Sequence, residues 1–339
     1  MTEEIVKPAR LGYTLPLEGI SLSELGDIGR RAEQAGYTDA WSGEVDGADG
    51  FTPLTVTALS TDSMRVGAGV VSAFTRGPAT IAMTAASVAE VAPGRFCLGI
   101  GAGSDVIVER WNSIPFEKPL SRVRDVTDVV QKALAGEKVT GEYPTLEVNG
   151  FRLSRPPAEA VPVFIAALRK NMLRLAGRQG DGVLLNWLAP EDVPTALAEL
   201  DRGAAEAGRP RPEVACRVFV FPGEIDQAEH AARRFIAAYL NVPVYRDYHR
   251  WLGRGELLRP MNDAWAARER KKATEVIPDE VIDGLILMGG RDRIADHVQR
   301  YRDNGVDTVI LHWLPTAPDP EDHGRQILDS LFELAPGGE

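Results

Sequence analysis

The chain has 339 residues, 44% of them hydrophobic, and a formal net charge of −11 at pH 7. This length can bury a large core, either as one α/β barrel or as two domains. The excess of acidic residues argues against unassisted binding to nucleic acid or to an anionic membrane surface, since both require a basic face. No run of eighteen apolar residues occurs, and residues 1–10 lack the apolar core of a signal peptide. We therefore expect a cytoplasmic protein that binds a small molecule.

The two cysteines, Cys97 and Cys216, both lie inside short apolar runs that are rich in β-forming residues. A free thiol in such a run behaves as a small buried hydrophobe. We expect neither a disulfide nor a metal site.

Short apolar runs alternate with longer amphipathic segments along the chain, which is typical of a parallel sheet covered by helices. Eight such runs occur, at residues 11–15, 39–42, 65–71, 95–100, 161–166, 182–186, 215–221 and 307–311. Eight strands favour a closed barrel. An open doubly wound sheet would place a Gly-rich turn directly after the first strand, whereas residues 16–19 read Pro-Leu-Glu-Gly. The predicted fold is a (β/α)8 TIM barrel with insertions, forming one domain over residues 1–339.

Three local patterns refine this prediction. Ser21, with Glu24 three residues later, predicts a capped helix that ends at Gly36. Residues 136–153 predict a small hairpin. Residues 222–283, between the seventh and eighth predicted strands, are too long for a simple connection and predict a lid or a subunit contact.

Glycines mark the ends of the third and fourth predicted strands. Gly67 and Gly69 end the third, and Gly99, Gly101 and Gly103 end the fourth. Glycine lets the main chain approach a flat or anionic ligand. Because parallel α/β proteins bind ligands at the carboxyl ends of their strands, we expect the binding site there.

Several motifs occur in a characteristic order. Residues 32–37 (AEQAGY) lead to Trp41, and Arg76-Gly77-Pro78 precedes the segment 93–103 (PGRFCLGIGAG). With these motifs the chain resembles the bacterial luciferase-like flavin oxidoreductase superfamily. The similarity extends through residues 162–183 and covers most of the chain outside the late insertion.

Residues 54–63, 67–70, 75–78 and 116–120 are similar to the deazaflavin-dependent branch, which includes methylenetetrahydromethanopterin reductase. This resemblance implies coenzyme F420, a deazaflavin that carries a hydride at carbon 5 and reacts poorly with oxygen. It also implies hydride transfer rather than oxygenation. Family members are often dimers, so we expect a homodimer, with the helices between residues 52 and 92 as one candidate contact.

The resemblance also implies site residues. A non-proline cis peptide bond, here Gly69–Val70, would support one face of the deazaflavin ring. The main-chain amides after the fourth strand would bind the phosphate or ribityl-like chain of the cofactor, and residues after the fifth and sixth strands would line the cavity. The residues concerned are Gly101, Ala102, Gly103 and Ser104, then Ala166, Ala167, Leu168, Asn186 and Trp187. Packing or turn geometry is the alternative reason for the glycines and for Trp187.

The chain departs from the family pattern after the second strand. Glu44-Val45 stands where related dehydrogenases carry an Asp-His pair, and Ser104 and Thr14 replace acids found in relatives. Loss of the histidine removes the usual general base for alcohol oxidation and favours reduction of an activated C=C, C=N or nitroaromatic bond. Glu44 is the first candidate for a proton donor. The alternative is that Glu44 is an ordinary surface carboxylate. His312, the one histidine at the end of a predicted strand, is the second candidate, although it could simply bind a loop carbonyl.

Two other functions remain open. One is a luciferase-like monooxygenase that uses reduced FMN from a partner reductase. The other is a non-catalytic flavin-binding protein, which the missing histidine and acid suggest.

Overall fold

The computed structural model describes residues 9–223 and 225–337 and contains a closed barrel of eight parallel strands. In chain order the strands are β1 (Arg10–Leu15), β2 (Asp39–Ser42), β3 (Arg65–Ser72), β4 (Phe96–Gly101), β5 (Val139–Tyr143), β6 (Leu146–Phe151), β7 (Val163–Ala166), β8 (Gly182–Asn186), β9 (Glu213–Phe221), β10 (Ile286–Met288) and β11 (Thr308–Trp313). Around the barrel the order is β1-β2-β3-β4-β7-β8-β9-β11, and β11 pairs with β1 to close it. The predicted (β/α)8 barrel is confirmed.

Helices surround the barrel. They are α1 (Leu25–Gln34), α2 (Thr52–Ala58), α3 (Pro78–Val91), α4 (Pro119–Leu134), α5 (Lys170–Gln179), α6 (Val193–Glu206), α7 (Ile225–Leu240), α8 (Pro243–Trp251), α9 (Arg259–Ala266), α10 (Arg270–Glu275), α11 (Asp279–Leu285), α12 (Arg291–Asp303) and α13 (His323–Glu333). In the two described ranges, no helix combines the length and the apolar character that crossing a membrane requires.

The eight predicted strand runs correspond to the eight barrel strands, but β10 escaped prediction. It has only three residues, and Ile286 pairs with Phe219 of β9. Because β11 occupies the other edge of β9 at the same residues, β10 continues the edge that β8 leaves at Arg217. A strand of three residues is too short to produce a recognisable periodicity.

The local predictions at both ends of the first helix are confirmed. Ser21 and Glu24 form a capping box, and a 3₁₀ turn over Leu22–Glu24 leads into α1. Gly36 ends the helix with φ +97°, a conformation that glycine adopts at low cost. The predicted hairpin is present as the antiparallel pair β5 and β6. Both cysteines are free and buried.

The barrel interior has two layers below its mouth, the end at which the parallel strands terminate. An apolar cluster fills the middle, made of Trp41, Cys97, Phe164, Leu184, Ala215 and Ile310. Beneath it lies a polar floor in which Arg65 bonds to Asp39, Glu213 and Thr308. A larger hydrophobic core fills the space between the strands and the helices. The interior is therefore packed, and a ligand can enter only at the mouth.

The insertion between β9 and β10 consists of the five helices α7 to α11. Arg254, after α8, donates a hydrogen bond of 2.7 Å to Asp192, which also accepts the Ala189 amide at 2.8 Å. The insertion is thus attached to the segment that follows β8, on the mouth side of the barrel.

Candidate active site

Strand periodicity brings four polar side chains to the mouth. Leu184, Ala215 and Ile310 face the interior, and residues two positions further along a strand share the same face. These are Asn186, Arg217 and His312. On β1, the Cα of Gly12 faces Trp41. Thr14 lies two residues further along the strand, so its side chain is the fourth at the mouth. The sequence analysis named Asn186 as a cavity residue and His312 as a proton donor, and the strands place both at the mouth.

Arg217 is the charged member of this group. It is partly accessible although protein surrounds it, and its place two residues after Ala215 directs it to the space above the apolar cluster, here called the recess. Its Nη1 is the one atom near Gly43 at the end of β2, 3.8 Å from the position a Cβ would take. Burial lowers the pKa of Arg217. Across residues 9–223 and 225–337, no group accepts a hydrogen bond from its guanidinium.

His312 also faces the recess. Its ring lies edge-on to Phe219 with the centroids 5.6 Å apart. Burial, together with the charge of Arg217, lowers the pKa of His312 to about 3. The imidazole is therefore neutral at physiological pH, and in that state it can donate or accept a hydrogen bond but carries no charge.

The opposite wall of the mouth is apolar. The register between β3 and β4 shifts between Ala68 and Val71, and this bulge turns Val70 towards Gly101. The Gly69–Val70 peptide bond is cis, as the family resemblance implies. Val70 and Ala166 both pack on the apolar cluster of the interior. The contiguous arc β3, β4 and β7 thus presents a hydrophobic surface, and the arc β8, β9, β11 and β1 presents polar groups.

Packing accounts for three of the predicted ligand-facing glycines. A Cβ on Gly67 would lie 2.4 Å from the Trp41 ring, and one on Gly99 would lie 2.1 Å from the carbonyl oxygen of Ala68. A Cβ on Gly101 would likewise lie 2.7 Å from Val70. Close approach within the protein, rather than to a ligand, therefore requires glycine at these positions. Open space lies instead at Gly43, which the sequence analysis did not single out.

The loop after β4 contains the predicted phosphate-binding amides. Gly103 adopts φ +74°, and the Ser104 hydroxyl accepts a hydrogen bond from the Ile107 amide at 3.3 Å. A π-helix over Val106–Trp111 follows. Ser104 thus caps the π-helix, and within the described chain the Gly103 and Ser104 amides bond to no other group. The predicted role of these amides stays a prediction.

Glu44 lies at the mouth but is engaged by a cation. Arg76 Nε donates to both of its carboxylate oxygens, at 3.0 and 3.1 Å, and Arg76 Nη2 donates to Oε2 at 2.6 Å. The Gly50 amide adds a bond of 2.9 Å to Oε2. These bonds to Glu44 raise the pKa of Arg76. Both carboxylate oxygens therefore act as acceptors that fix Arg76 and the loop 43–50.

Three other predicted cavity residues pack against the outer core, and their predicted role stays a prediction. The Ala167 side chain is buried in the outer core, and its amide donates to Leu184. Leu168 packs against the same core. Trp187 is 2% exposed and stacks on Phe235, with ring centroids 5.0 Å apart. These contacts fit the alternative stated for Trp187, that it is a packing residue.

Trp187 belongs to an aromatic cluster that links β8 and β9 to the insertion. Its members are Trp187, Phe219, Phe235, Tyr239 and Tyr245. Arg217 is close enough to Tyr245 for its charge to affect that phenol, whose pKa burial raises. Arg217 and both tyrosines were not predicted from the sequence as site residues. The available signal was the single charge in the apolar run Ala215-Cys216-Arg217-Val218.

Comparison with known proteins shows the family. The model of the luciferase-like monooxygenase family matches residues 1–308. The chain belongs to this family. It is 29% identical over 315 residues to a 5,10-methylenetetrahydromethanopterin reductase of Archaeoglobus fulgidus, which covers 88% of this chain and 93% of the relative.

Solved structures agree in fold over nearly the whole chain. A coenzyme F420-dependent tetrahydromethanopterin reductase from Methanopyrus kandleri superposes with a TM-score of 0.78 at 22% identity, covering 98% of this chain and 99% of the other. The FMN complex of the oxygenating constituent of 3,6-diketocamphane monooxygenase from Pseudomonas putida gives a TM-score of 0.67 at 18% identity, covering 98% and 99%. The family fold thus accommodates proteins with either cofactor.

Proposed function

We propose that the protein is a coenzyme F420-dependent oxidoreductase that transfers a hydride between deazaflavin carbon 5 and a small, electron-poor organic substrate, in the reducing direction. The observation that carries this proposal is the division of the mouth into an apolar arc and a polar arc. A planar cofactor needs a flat hydrophobic surface on one face and room for a reactant on the other. The name of the Methanopyrus structure supports F420 as that cofactor.

The residues present fit such a group. A Cβ on Gly43 would meet only Arg217, so the space over the end of β2 is open. Thr14 Oγ1 and Asn186 Oδ1 are buried without a hydrogen-bond partner and could pair with polar ring edges. Val70 and Ala166 would support the ring face, and the Gly101–Ser104 amides would receive the phosphate. When bound, the deazaflavin supplies a hydride at carbon 5.

The contacts of the two candidate acids support the reducing direction. Oxidation of an alcohol needs a base that accepts its proton. Arg76 holds the Glu44 carboxylate, and the next residue is Val45, at the position where related dehydrogenases carry the histidine of an Asp-His pair. We propose that Glu44 acts mainly by fixing Arg76, and that neutral His312 donates a hydrogen bond to the substrate. Protonation of the reduced product by either residue stays a prediction.

We further propose that residues 222–283 form a lid and that the protein acts as a cytoplasmic homodimer. The lid is supported by the aromatic contacts of Phe235 and Tyr239 with Trp187, which bring the insertion to the mouth. The dimer is supported by exposed apolar side chains on one pair of neighbouring helices. Leu59, following α2, is 71% exposed, and Met83 of α3 is 49% exposed. Light scattering of the wild type and a Leu59→Glu, Met83→Glu variant tests the dimer.

Titration with oxidised F420 and, separately, with FMN tests the proposed function. We expect F420 to bind in the low micromolar range, as cofactors of oxidoreductases commonly do, and FMN to bind at least about tenfold more weakly. Gly43→Val should weaken F420 binding because its methyl groups enter the open space. Gly290→Val is the control. A Cβ added at Gly290 would have no atom within 4 Å beyond its chain neighbours, so this variant should leave binding unchanged.

Each other outcome of the titration points to a different function. Preference for FMN would move the assignment to a monooxygenase supplied by a flavin reductase. Tight F420 binding without turnover of reduced cofactor, across quinone, nitroaromatic and enone acceptors, would indicate a binding protein. Binding of neither cofactor would overturn the proposal.

A further inference from the structure

We propose that Arg217 is an anion-recognition residue, which binds a planar oxyanion in the recess at the mouth of the barrel. The proposal rests on the proposed function in one respect, since it places the oxyanion beside the hydride carrier. The oxyanion can come from a carboxylate or enolate-like oxygen of the substrate, or from a ring oxygen of the cofactor. The position of Arg217, on the polar arc facing the apolar wall, favours the substrate.

The first argument is that Arg217 is a buried cation whose one charge-directed contact in the described residues is the Phe219 ring, with its centroid 5.6 Å from Cζ, and that no described group supplies a counter-charge. Arg217 lies one barrel layer above the apolar cluster, and its guanidinium reaches across the recess to Gly43. In the described parts of the chain, no carboxylate lies within 4.0 Å of it. A buried guanidinium without a counter-charge is costly, so a protein retains one where a ligand supplies that charge.

The second argument is that the surrounding groups are neutral. His312 has a pKa lowered to about 3 by burial and by Arg217, so it is uncharged at pH 7. Tyr245, whose pKa is raised by burial, keeps its proton. Tyr239, Asn186 and Thr14 add dipoles but no negative charge. None of the neighbours that face the recess can therefore balance Arg217.

The third argument is chemical shape. A guanidinium offers a planar fork of N–H donors that matches the two oxygens of a carboxylate or the O–C–O and N–C–O edges of a conjugated anion. Electron-poor acceptors gain negative charge on such oxygens when they accept a hydride. Arg217 would thus bind a substrate carboxylate in the ground state or an oxygen whose charge grows during reduction.

Binding of a matched pair of small ligands to the purified protein without added cofactor tests this inference. Benzoate and benzamide have nearly the same shape but differ in charge. We expect the wild type to bind benzoate at least about tenfold more tightly than benzamide, as measured by calorimetry. Arg217→Gln should abolish this preference, and Arg217→Lys should retain part of it.

Thermal unfolding supplies a second readout and a control. Because no carboxylate or hydrogen-bond acceptor in the described residues pairs with Arg217, and the contact with the Phe219 ring offsets only part of the cost of burying its charge, Arg217→Gln should raise the melting temperature in the absence of ligand. Arg302→Gln removes the same charge from α12, outside the recess, and should leave the preference for benzoate unchanged. A fall in the melting temperature of Arg217→Gln would show that the contacts of the guanidinium within the protein outweigh the cost of its unpaired charge, and would overturn the proposal.

Titration of the same variants with F420 separates the two sources of the oxyanion. If benzoate shows no preference but Arg217→Gln weakens F420 binding about tenfold or more, the oxyanion belongs to the cofactor. If only proteins that keep Arg217 prefer benzoate, while F420 binds neither the wild type nor any variant, this inference holds and the proposed cofactor is wrong. If Arg217→Gln binds benzoate as tightly as the wild type does, and also binds F420 as tightly as the wild type does, the inference is overturned.

Discussion

Arg65 and Arg217 both enter the barrel interior, at opposite ends, and among residues 9–223 and 225–337 only Arg65 meets carboxylates. Its Nε lies 2.5 Å from Asp39 Oδ1, and its Nη1 and Nη2 lie 2.9 and 2.7 Å from the two oxygens of Glu213. Burial alone would lower the pKa of Arg65, but Glu213 and Asp39 together raise it. Arg65 therefore holds the floor of the barrel together, whereas the proposal for Arg217 predicts that its unpaired charge lowers stability in the absence of ligand.

Arg65→Met should destabilise the protein strongly. The substitution leaves the buried Asp39 and the largely buried Glu213 without their shared cation, and breaking one partner of a buried ion pair typically costs about 3–5 kcal/mol. Urea denaturation followed by circular dichroism measures the loss. Arg30→Met removes an exposed ion pair to Asp27 and should change stability by less than about 1 kcal/mol. Similar losses in the two variants would contradict the structural role given to Arg65.

Glu44 and Arg76 should behave as one unit. If Glu44 acts by holding Arg76, then Glu44→Gln and Arg76→Gln each lose the two-point ion pair, and the double variant should be little worse than either. A partly buried pair of this kind contributes about 1–3 kcal/mol, to be measured by a double-mutant cycle in urea. F420 affinity should fall in parallel because the loop 43–50 loses its anchor.

A proton-donor role for Glu44 predicts a different pattern. In that case Glu44→Gln would lose the hydride-transfer step while Arg76→Gln retained it, and cofactor affinity would hardly change. Single-turnover oxidation of reduced F420 by a nitroaromatic acceptor, compared with the cofactor dissociation constant, separates the two roles. Loss of turnover confined to Glu44→Gln would show that Glu44, and not the pair, serves the chemistry.

Gly67→Ala and Gly43→Ala should differ although the chemical change is identical. A methyl group on Gly67 would lie 2.4 Å from the buried Trp41 ring, whereas one on Gly43 would meet only Arg217 at 3.8 Å. Overpacking at a rigid site costs about 1–3 kcal/mol, so Gly67→Ala should unfold at lower urea concentration. Gly43→Ala should keep the stability of the wild type. Equal stability of the two variants would show that Trp41 can move aside.

Most of the fold could be predicted because each barrel strand is a short β-rich run between turn signals. The family resemblance also implied the cis peptide bond Gly69–Val70, which lies at the β3 bulge. The reason for glycine at positions 67 and 99 could not be predicted, since the sequence does not show that Trp41 and the Ala68 carbonyl fill the space. The short β10 exists only because β9 continues beyond the end of β8.

The candidate site was harder to predict, because its properties arise from partners far apart in the sequence. Glu44 was recognised from its place after a strand, but its partner Arg76 lies 32 residues away. The sequence does not distinguish Arg217 from other charged residues of strands, since only the closed barrel shows that no carboxylate of the described residues lies near it. Trp187 was expected at a ligand surface, and contacts with Phe235 and Tyr239 from the insertion bury it.

The free energy of unfolding should decrease as the pH is lowered, over a pH range set by three buried histidines. Burial lowers the pKa of His249 and of His312 to about 3 and that of His297 to about 4, with nearby arginines contributing. The unfolded chain binds these protons below about pH 6.5, and the folded chain does not. Unfolding therefore takes up protons between about pH 6.5 and 4, and the free energy of unfolding falls as pH decreases through this window.

His249→Phe isolates one of these protons. His249 is fully buried, and a phenyl ring of similar size cannot be protonated. Each such histidine contributes a slope of up to about 1.4 kcal/mol per pH unit well below pH 6.5, so the variant should lose stability less steeply between pH 6 and 5. Urea unfolding at pH 7.5, 6 and 5 measures the slopes. His230→Gln, at an exposed position, should match the wild type, and an unchanged slope in His249→Phe would show that His249 is protonated in the folded protein as well.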